Sequence, residues 1–157
     1  MENTAIVWLR RDLRLSDNPA LHHALIRHDQ VVLAYIYAPD EEAPWQPGAA
    51  TRWWLHQSLV RFQEGLDQYH ARLVLKVGDS LKNLLQLCTQ SEAKNVYWNR
   101  LYEPRIVERD TNIKKQLADH GIGGHSFSGA LLREPREIHK NDGSMYRVYT
   151  PFSKRYF

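Results

Sequence analysis

Short apolar runs alternating with stretches whose apolar residues return every three or four positions constrain this chain more than any other feature. Residues 4–9, 31–38, 72–77, 95–98 and 125–128 read as strands, and four segments of helical spacing separate them. Strand and helix in strict alternation predict right-handed crossovers and an α/β fold. Its core is a doubly wound five-stranded parallel sheet of order 3-2-1-4-5. A length of 157 residues with 43% apolar content suits one domain with a real core.

The first junction is the most distinctive. The apolar run at 4–9 passes into a turn holding Arg10, Arg11, Asp12 and Arg14, and then into Asn18-Pro19. Proline suits the first helical position and asparagine the cap before it, so a helix is expected to start there with Leu21, Ala24 and Leu25 facing inward. Residues 39–48 hold three prolines, a glycine, three acids and Trp45, a composition that predicts an irregular loop. From about 50 to 70, Leu55, Leu59, Phe62, Leu66 and Tyr69 form one helical face expected to pack on the sheet, with Trp53 or Trp54 turned toward the loop. Residues 78–80 turn the third strand into a helix carrying Leu81, Leu84, Leu85 and Cys88.

A helix from about 104 to 120 has the stripe Ile106, Ile113 and Leu117, interrupted by Asp110. A carboxylate on a sheet-facing stripe needs a cation, and Arg10 or Arg14 is the expected partner. Gly121 closes that helix. Residues 137–140 and 145–149 flank Asn141-Asp142-Gly143, a hairpin signal. The last eight residues enter a helix carrying Phe152, Tyr156 and Phe157 without completing a stripe. The chain is therefore expected to be the N-terminal piece of a longer protein, and its terminal aromatics to favour self-association.

Ligands of such sheets gather outside the strand ends where the order reverses, here between the first and fourth strands. The loops at 10–18 and 99–104 meet there, with 39–48 beside them. No glycine-rich phosphate fingerprint is present. Residues 121–124 follow a helix and precede a strand, the wrong order for a dinucleotide turn. Aromatic residues (Trp45, Trp53, Tyr102) and carboxylates (Glu41, Glu42, Glu103) suit a planar ring that donates hydrogen bonds. His22 and His23, adjacent on a helix, point apart and make poor metal ligands, so no metal site is expected. The lone Cys88 excludes an internal disulfide, and the net charge of +3 gives no case for nucleic acid by itself. Without an apolar span or a secretory signal, no membrane contact is expected and a soluble cytoplasmic protein is the default.

Val7-Trp8-Leu9-Arg10-Arg11-Asp12-Leu13-Arg14, with Asp17-Asn18-Pro19-Ala20-Leu21, resembles the opening motif of the DNA photolyase and cryptochrome family. Ala38-Pro39-Asp40-Glu41-Glu42, Arg52-Trp53-Trp54-Leu55-His56-Gln57-Ser58-Leu59, Trp98-Asn99-Arg100-Leu101-Tyr102-Glu103-Pro104, Arg109-Asp110 and Tyr149-Thr150-Pro151-Phe152 extend the likeness. They are similar to plant-like cryptochromes and class III cyclobutane pyrimidine dimer photolyases. The resemblance implies a Rossmann-like antenna domain over 1–130, and over 131–157 a hairpin and the start of an interdomain linker. A helical FAD domain acting on damaged DNA would lie outside this chain, which alone would neither hold FAD nor repair DNA.

The antenna chromophore implied is methenyltetrahydrofolate, with 8-hydroxy-deazaflavin as the alternative. Its expected contacts are Glu41, Glu42, Arg52, Trp53, Tyr102 and Glu103, in a crevice framed by Arg10, Arg14 and Asp110. The Asn-Glu pair that holds folate in class I photolyases falls at Arg105-Ile106 and is absent. A cryptochrome sensory domain and a generic nucleotide-binding α/β module are the alternative functions.

Overall fold

The computed structural model describes residues 3–134 and 137–156. Strands β1 (Thr4–Leu9), β2 (Gln30–Tyr37), β3 (Leu73–Val77), β4 (Asn95–Asn99) and β5 (Gly123–Phe127) form one sheet of order β3-β2-β1-β4-β5, every pair parallel. Helices α1 (Pro19–Leu25), α2 (Ala49–Asp67), α3 (Ser80–Ser91) and α4 (Pro104–Asp119) supply the crossovers, and α5 (Tyr149–Tyr156) follows. The expected topology is the observed one.

All six residues of β1 are buried because both faces of the sheet are covered. Ile6, Trp8, Ala34, Ile36, Val96 and Trp98 point to one side and pack with Leu84, Leu87, Cys88, Ile113 and Leu117 of α3 and α4. Ala5, Val7, Leu9, Leu33 and Tyr97 point to the other and meet Ala20, Leu21, Ala24, Phe62 and Leu66 of α1 and α2. Asn18 caps α1, its side chain accepting from the Leu21 N–H, and Asp79 does the same for α3 toward Lys82. Gly121 takes φ +70 after α4, a conformation that costs glycine little.

Several expectations needed correction. Leu25 is 58% exposed, because α1 ends at that residue and Ala20, one turn before Ala24, takes the inward place. Leu84, Leu87 and Cys88 form the fully buried face of α3, with Leu81 and Leu85 partly buried against the same core, so Leu87 is the position that the spacing missed. Residues 39–42 are not irregular but wind into one turn of 3-10 helix, started by Pro39. On α2 only Phe62 and Leu66 are buried. Leu55 and Leu59 are half-buried, and Tyr69, just past the helix, is exposed. The N-terminal half of α2 therefore stands away from the sheet, with Trp53 62% and Trp54 68% exposed.

β5 starts at Gly123, two residues before the expected start, and a Cβ at Gly123 or Gly124 would press on the side chains of Asn95, or of Trp98 and Lys114. The hairpin at 137–149 does not form. Two backbone bonds of 2.9 Å close a tight turn, from the Lys140 N–H to the Ser144 carbonyl and from the Gly143 N–H to the Lys140 carbonyl, and the flanking residues remain mostly exposed and unpaired in a strand. α5 buries none of its residues. Phe152 lies against Tyr146 and Tyr156, while Phe157 falls outside the described residues.

The α1 face carries a column of parallel rings. His125 stacks on Tyr97 at 4.7 Å, Tyr97 lies 6.1 Å from Phe127, and Phe127 stacks on His23 at 4.4 Å. The Tyr97 hydroxyl meets His28 Nε2 at 2.9 Å, and His125 Nε2 meets Asn95 Oδ1 at 2.8 Å. Burial, then Lys114, Arg27 and His28, pull the His125 imidazole below its ordinary value. The unfolded chain takes up this proton first, so the contribution to stability is complete above the ordinary value of 6.5 and is lost as pH falls below it. Thermal denaturation should show a lower midpoint at pH 5.5 than at 7.5, with a smaller drop in His125→Phe; an equal drop in both would exclude His125 as a source.

Candidate functional site

Where the ends of β1 and β4 meet, one buried knot of charge joins those strands to α3, α4 and the 3-10 turn at 39–42. Arg10 follows β1 and is 8% exposed. Its Nη1 donates to Asp110 Oδ2 of α4 at 2.6 Å, and its Nη2 donates to the Asn99 carbonyl ending β4. Asp110 Oδ1 accepts from Arg109 Nη2 at 2.8 Å and Nε at 3.1 Å. Arg109 Nη1 reaches Glu41 Oε2 at 3.0 Å. Glu41 in turn accepts from the Ser80 backbone N–H at 2.6 Å and its hydroxyl at 2.7 Å, where α3 begins.

Both guanidiniums also lie over the Trp8 indole, at 4.9 and 5.1 Å. Burial lowers the affinity of Arg10 for its proton and Asp110 raises it again. The partner expected for Asp110 is thus Arg10 and not Arg14. Arg14 instead donates to the carbonyls of Asp17 and Gly129, bracing the first loop against the chain beyond β5.

Asn99 makes a second tie. Its Nδ2 donates to Asp12 Oδ2 at 2.6 Å and Asn18 Oδ1 at 2.7 Å, and its Oδ1 accepts from the Ala20 N–H at 3.1 Å. Asp12 Oδ1 accepts from the Arg10 N–H at 2.7 Å, turning the chain back after β1. The first loop is therefore fixed by acids and amides rather than by glycine.

Beside this knot a crevice of about 430 Å³ straddles the ends of β1 and β2 under the raised half of α2. Its walls include Leu13, Tyr35, Tyr37, Glu42, Trp54 and Leu55. Arg11 spans the rim, pairing with Glu103 and, at 3.4 Å, with Glu42. Burial opposes the charge of Glu103, but backbone N–H groups and Arg11 more than compensate and hold it below the usual carboxylate range. Burial and then the charge of Glu42 push the Tyr35 phenol up to about 12.

The residues singled out from the sequence do not all converge. Glu42 lines the crevice, and Glu103 reaches its rim through Arg11. Glu41 spends both oxygens on Ser80 and Arg109. Arg52 donates to the Pro47 carbonyl at 2.8 Å and lies outside the crevice wall. Trp53 lines a separate groove of about 890 Å³ with Arg14, Arg61 and Tyr69. Tyr102 borders a third hollow, its hydroxyl donating to Glu134 Oε1 at 2.8 Å. Burial opposes the charge of Glu134, yet hydrogen bonds from Tyr102, Arg100 and Ser128 hold it below the usual range. Trp45 is 86% exposed. Tyr35, Tyr37, Asn99 and Trp54 carry weight that spacing did not reveal; the only advance signal was two tyrosines two residues apart in the second apolar run.

The family model described as DNA photolyase matches residues 5–157. The chain belongs to the DNA photolyase family. It is 43% identical over 147 residues to a deoxyribodipyrimidine photo-lyase of Agrobacterium fabrum, which takes in 94% of this chain and 30% of that protein. Identity to cryptochrome-2 of Arabidopsis thaliana is 36%, over 99% of this chain and 25% of that protein. The chain thus spans between a quarter and a third of the length of these two relatives. A bacterial class III photolyase from Agrobacterium tumefaciens superposes with a TM-score of 0.87 at 41% identity, covering 96% of this chain and 31% of that one. An archaeal photolyase from Sulfolobus tokodaii, solved with two FAD molecules and described as implying a novel light-harvesting cofactor, gives 0.82 at 27% identity, covering 96% and 34%.

Asp110→Ala leaves Arg10 buried with one acceptor lost and should cost about 3 kcal/mol in denaturant unfolding. Replacing Arg10 and Asp110 together by Met and Leu should cost less than the single change, since no unpaired Arg10 is then left and Arg109 keeps Glu41. A double variant as unstable as the sum of two separate losses would contradict that account.

Proposed function

We propose that this chain is the N-terminal light-harvesting domain of a blue-light-driven photolyase that repairs cyclobutane pyrimidine dimers. The observation that carries the reading is the crevice at the strand ends of a chain whose family likeness runs almost end to end. A volume near 430 Å³ sits within the range of about 300–1,000 Å³ typical of small-molecule sites. Its walls fit a flat heterocycle: Trp54, Tyr35 and Tyr37 offer ring faces, Leu13 and Leu55 apolar contact, and Glu42 an acceptor at the edge.

Methenyltetrahydrofolate is the chromophore favoured by the likeness to class III photolyases, with 8-hydroxy-deazaflavin as the alternative. Such a group supplies absorption in the near ultraviolet and blue, for transfer to a flavin elsewhere in the parent protein. The chain's own residues do the holding. Glu42 accepts from a ring N–H, Arg11 keeps Glu42 and Glu103 in place at the rim, and Trp54 covers one face. The remainder of the parent protein, with its FAD, and damaged DNA are the partners under this reading.

The 36% identity to a plant cryptochrome over 99% of the chain favours one other reading, a photosensory domain. Repair of a thymine-dimer oligonucleotide by the parent protein under blue light separates the two, and repair no better than in the dark removes the first. A generic nucleotide module loses its standing with the family match.

Glu42→Gln should weaken methenyltetrahydrofolate binding about tenfold in an absorption titration, because a charge-assisted hydrogen bond is exchanged for a neutral one. Glu103→Gln, acting only through Arg11, should weaken it less. Equal losses would place Glu103 in direct contact, and no loss in either would remove the rim from the site.

A further inference from the structure

Tyr35 lies near the carboxyl end of β2, with Leu33 and Val31 on the α2 side of the sheet, and is paired in register with Leu9 of β1. It is the deeper of the two tyrosines that face the crevice, because Tyr37 sits at the last position of the strand. Its ring is half-buried, and its hydroxyl makes no hydrogen bond to another described residue. A phenol facing a cleft without a protein acceptor is free to donate to whatever fills the cleft. Tyr97, on the same face of the sheet, has found His28. Tyr35 opens instead into the crevice, close enough to Glu42 for the carboxylate to discourage its ionisation. It therefore stays a neutral donor throughout the physiological range.

Across the crevice the other polar groups are largely committed. Glu41 is taken by Ser80 and Arg109, and Arg10 by Asp110 and Asn99. Glu42 holds only the long contact to Arg11, so it keeps lone pairs to spare. The crevice wall thus offers a neutral O–H donor and an anionic acceptor within electrostatic reach of each other. The complement of that pair is an acceptor beside a donor on the edge of a flat ring.

We propose that Tyr35 is a specificity-determining residue of this crevice, donating to a ring carbonyl while Glu42 accepts from the adjacent ring N–H. The two together select planar heterocycles with a lactam edge over rings of similar size without one. The inference rests on the crevice being the chromophore site, and it adds which edge of the ligand is read and by what. Removing the hydroxyl leaves the recognising site short of a donor, which penalises the lactam ligand alone.

Equilibrium dialysis of the 157-residue chain against lumichrome and phenazine tests this, because both are flat tricyclic rings and only lumichrome has ring N–H groups beside carbonyls. The chain should bind lumichrome more tightly than phenazine. Tyr35→Phe should lower lumichrome affinity about five- to tenfold and leave phenazine unchanged, the loss expected for one neutral hydrogen bond. Glu42→Gln should give the same pattern, and circular dichroism should show both variants folded. If Tyr35→Phe weakens both rings alike or neither, the assignment of Tyr35 is overturned while the crevice stands as a ring site. If neither ring binds the unmodified chain, both the assignment and the crevice's role fall together.

Discussion

The structure depends on a carboxylate that would be intolerable alone. Asp110 sits on the sheet side of α4 with 12% of its side chain exposed, held between Arg10 and Arg109. Taking such charges out of water costs several kcal/mol per ion, and the attraction offsets this only when every hydrogen-bonding position is filled. Here the filling is nearly complete and it is directional. Arg10 uses one nitrogen on Asp110 and another on the Asn99 carbonyl, while Arg109 spans from Asp110 to Glu41. Sliding α4 along the sheet, or lifting the 3-10 turn at Pro39–Glu42, would strand a charge. The knot contributes little net stability against an apolar substitute, but it permits only one arrangement of the strand ends on which the crevice is built.

Much of the fold was legible because parallel strands covered on both faces must be apolar almost throughout. The run from Thr4 to Leu9, all buried, could hardly be anything else. The break at Asp110 was legible for the opposite reason, since one misplaced acid in a stripe demands a cation and the first loop held three. Less was legible where contact is partial. The stripe on α2 is regular from Leu55 to Tyr69, yet only Phe62 and Leu66 reach the core, because spacing gives the phase of a helix and not its tilt. The turn signal at Asn141-Asp142-Gly143 did produce a turn, but strands require a sheet edge, and none is offered there.

The site was expected between the ends of β1 and β4, whereas the crevice straddles the ends of β1 and β2, and its set of side chains was less legible still. Adjacent residues on a 3-10 turn point about 120° apart, so Glu41 and Glu42 have unrelated surroundings. One is consumed by Ser80 and Arg109, and the other faces the crevice. A similar divergence on α2 sends Trp53 into the groove beside Tyr69 and lets Trp54 border the crevice as well. Tyr102 is drawn away by Glu134, thirty-two positions later, a pairing that no local pattern announces. Tyr35 was hidden by its strand, where a tyrosine reads as packing until the space beside it is seen to be empty.

That empty space follows from the way α2 is attached. The helix is anchored by Phe62 and Leu66 in its C-terminal half, and its N-terminal half carries Trp53 and Trp54, each more than half exposed. Seating that half on the sheet would press Trp54 toward Tyr35 and Tyr37 and bury apolar area, worth roughly 25 cal/mol for each Å² removed from water. The same movement would close the crevice. The gap persists because the preceding loop is pinned at both ends, by the Glu41 tie to α3 and by the Arg52 bond to Pro47, which together fix where α2 begins. The charge knot that sets the strand ends is therefore also linked, through Arg109 and Glu41, to the loop from which the helix starts, and a packing defect in the domain becomes the crevice.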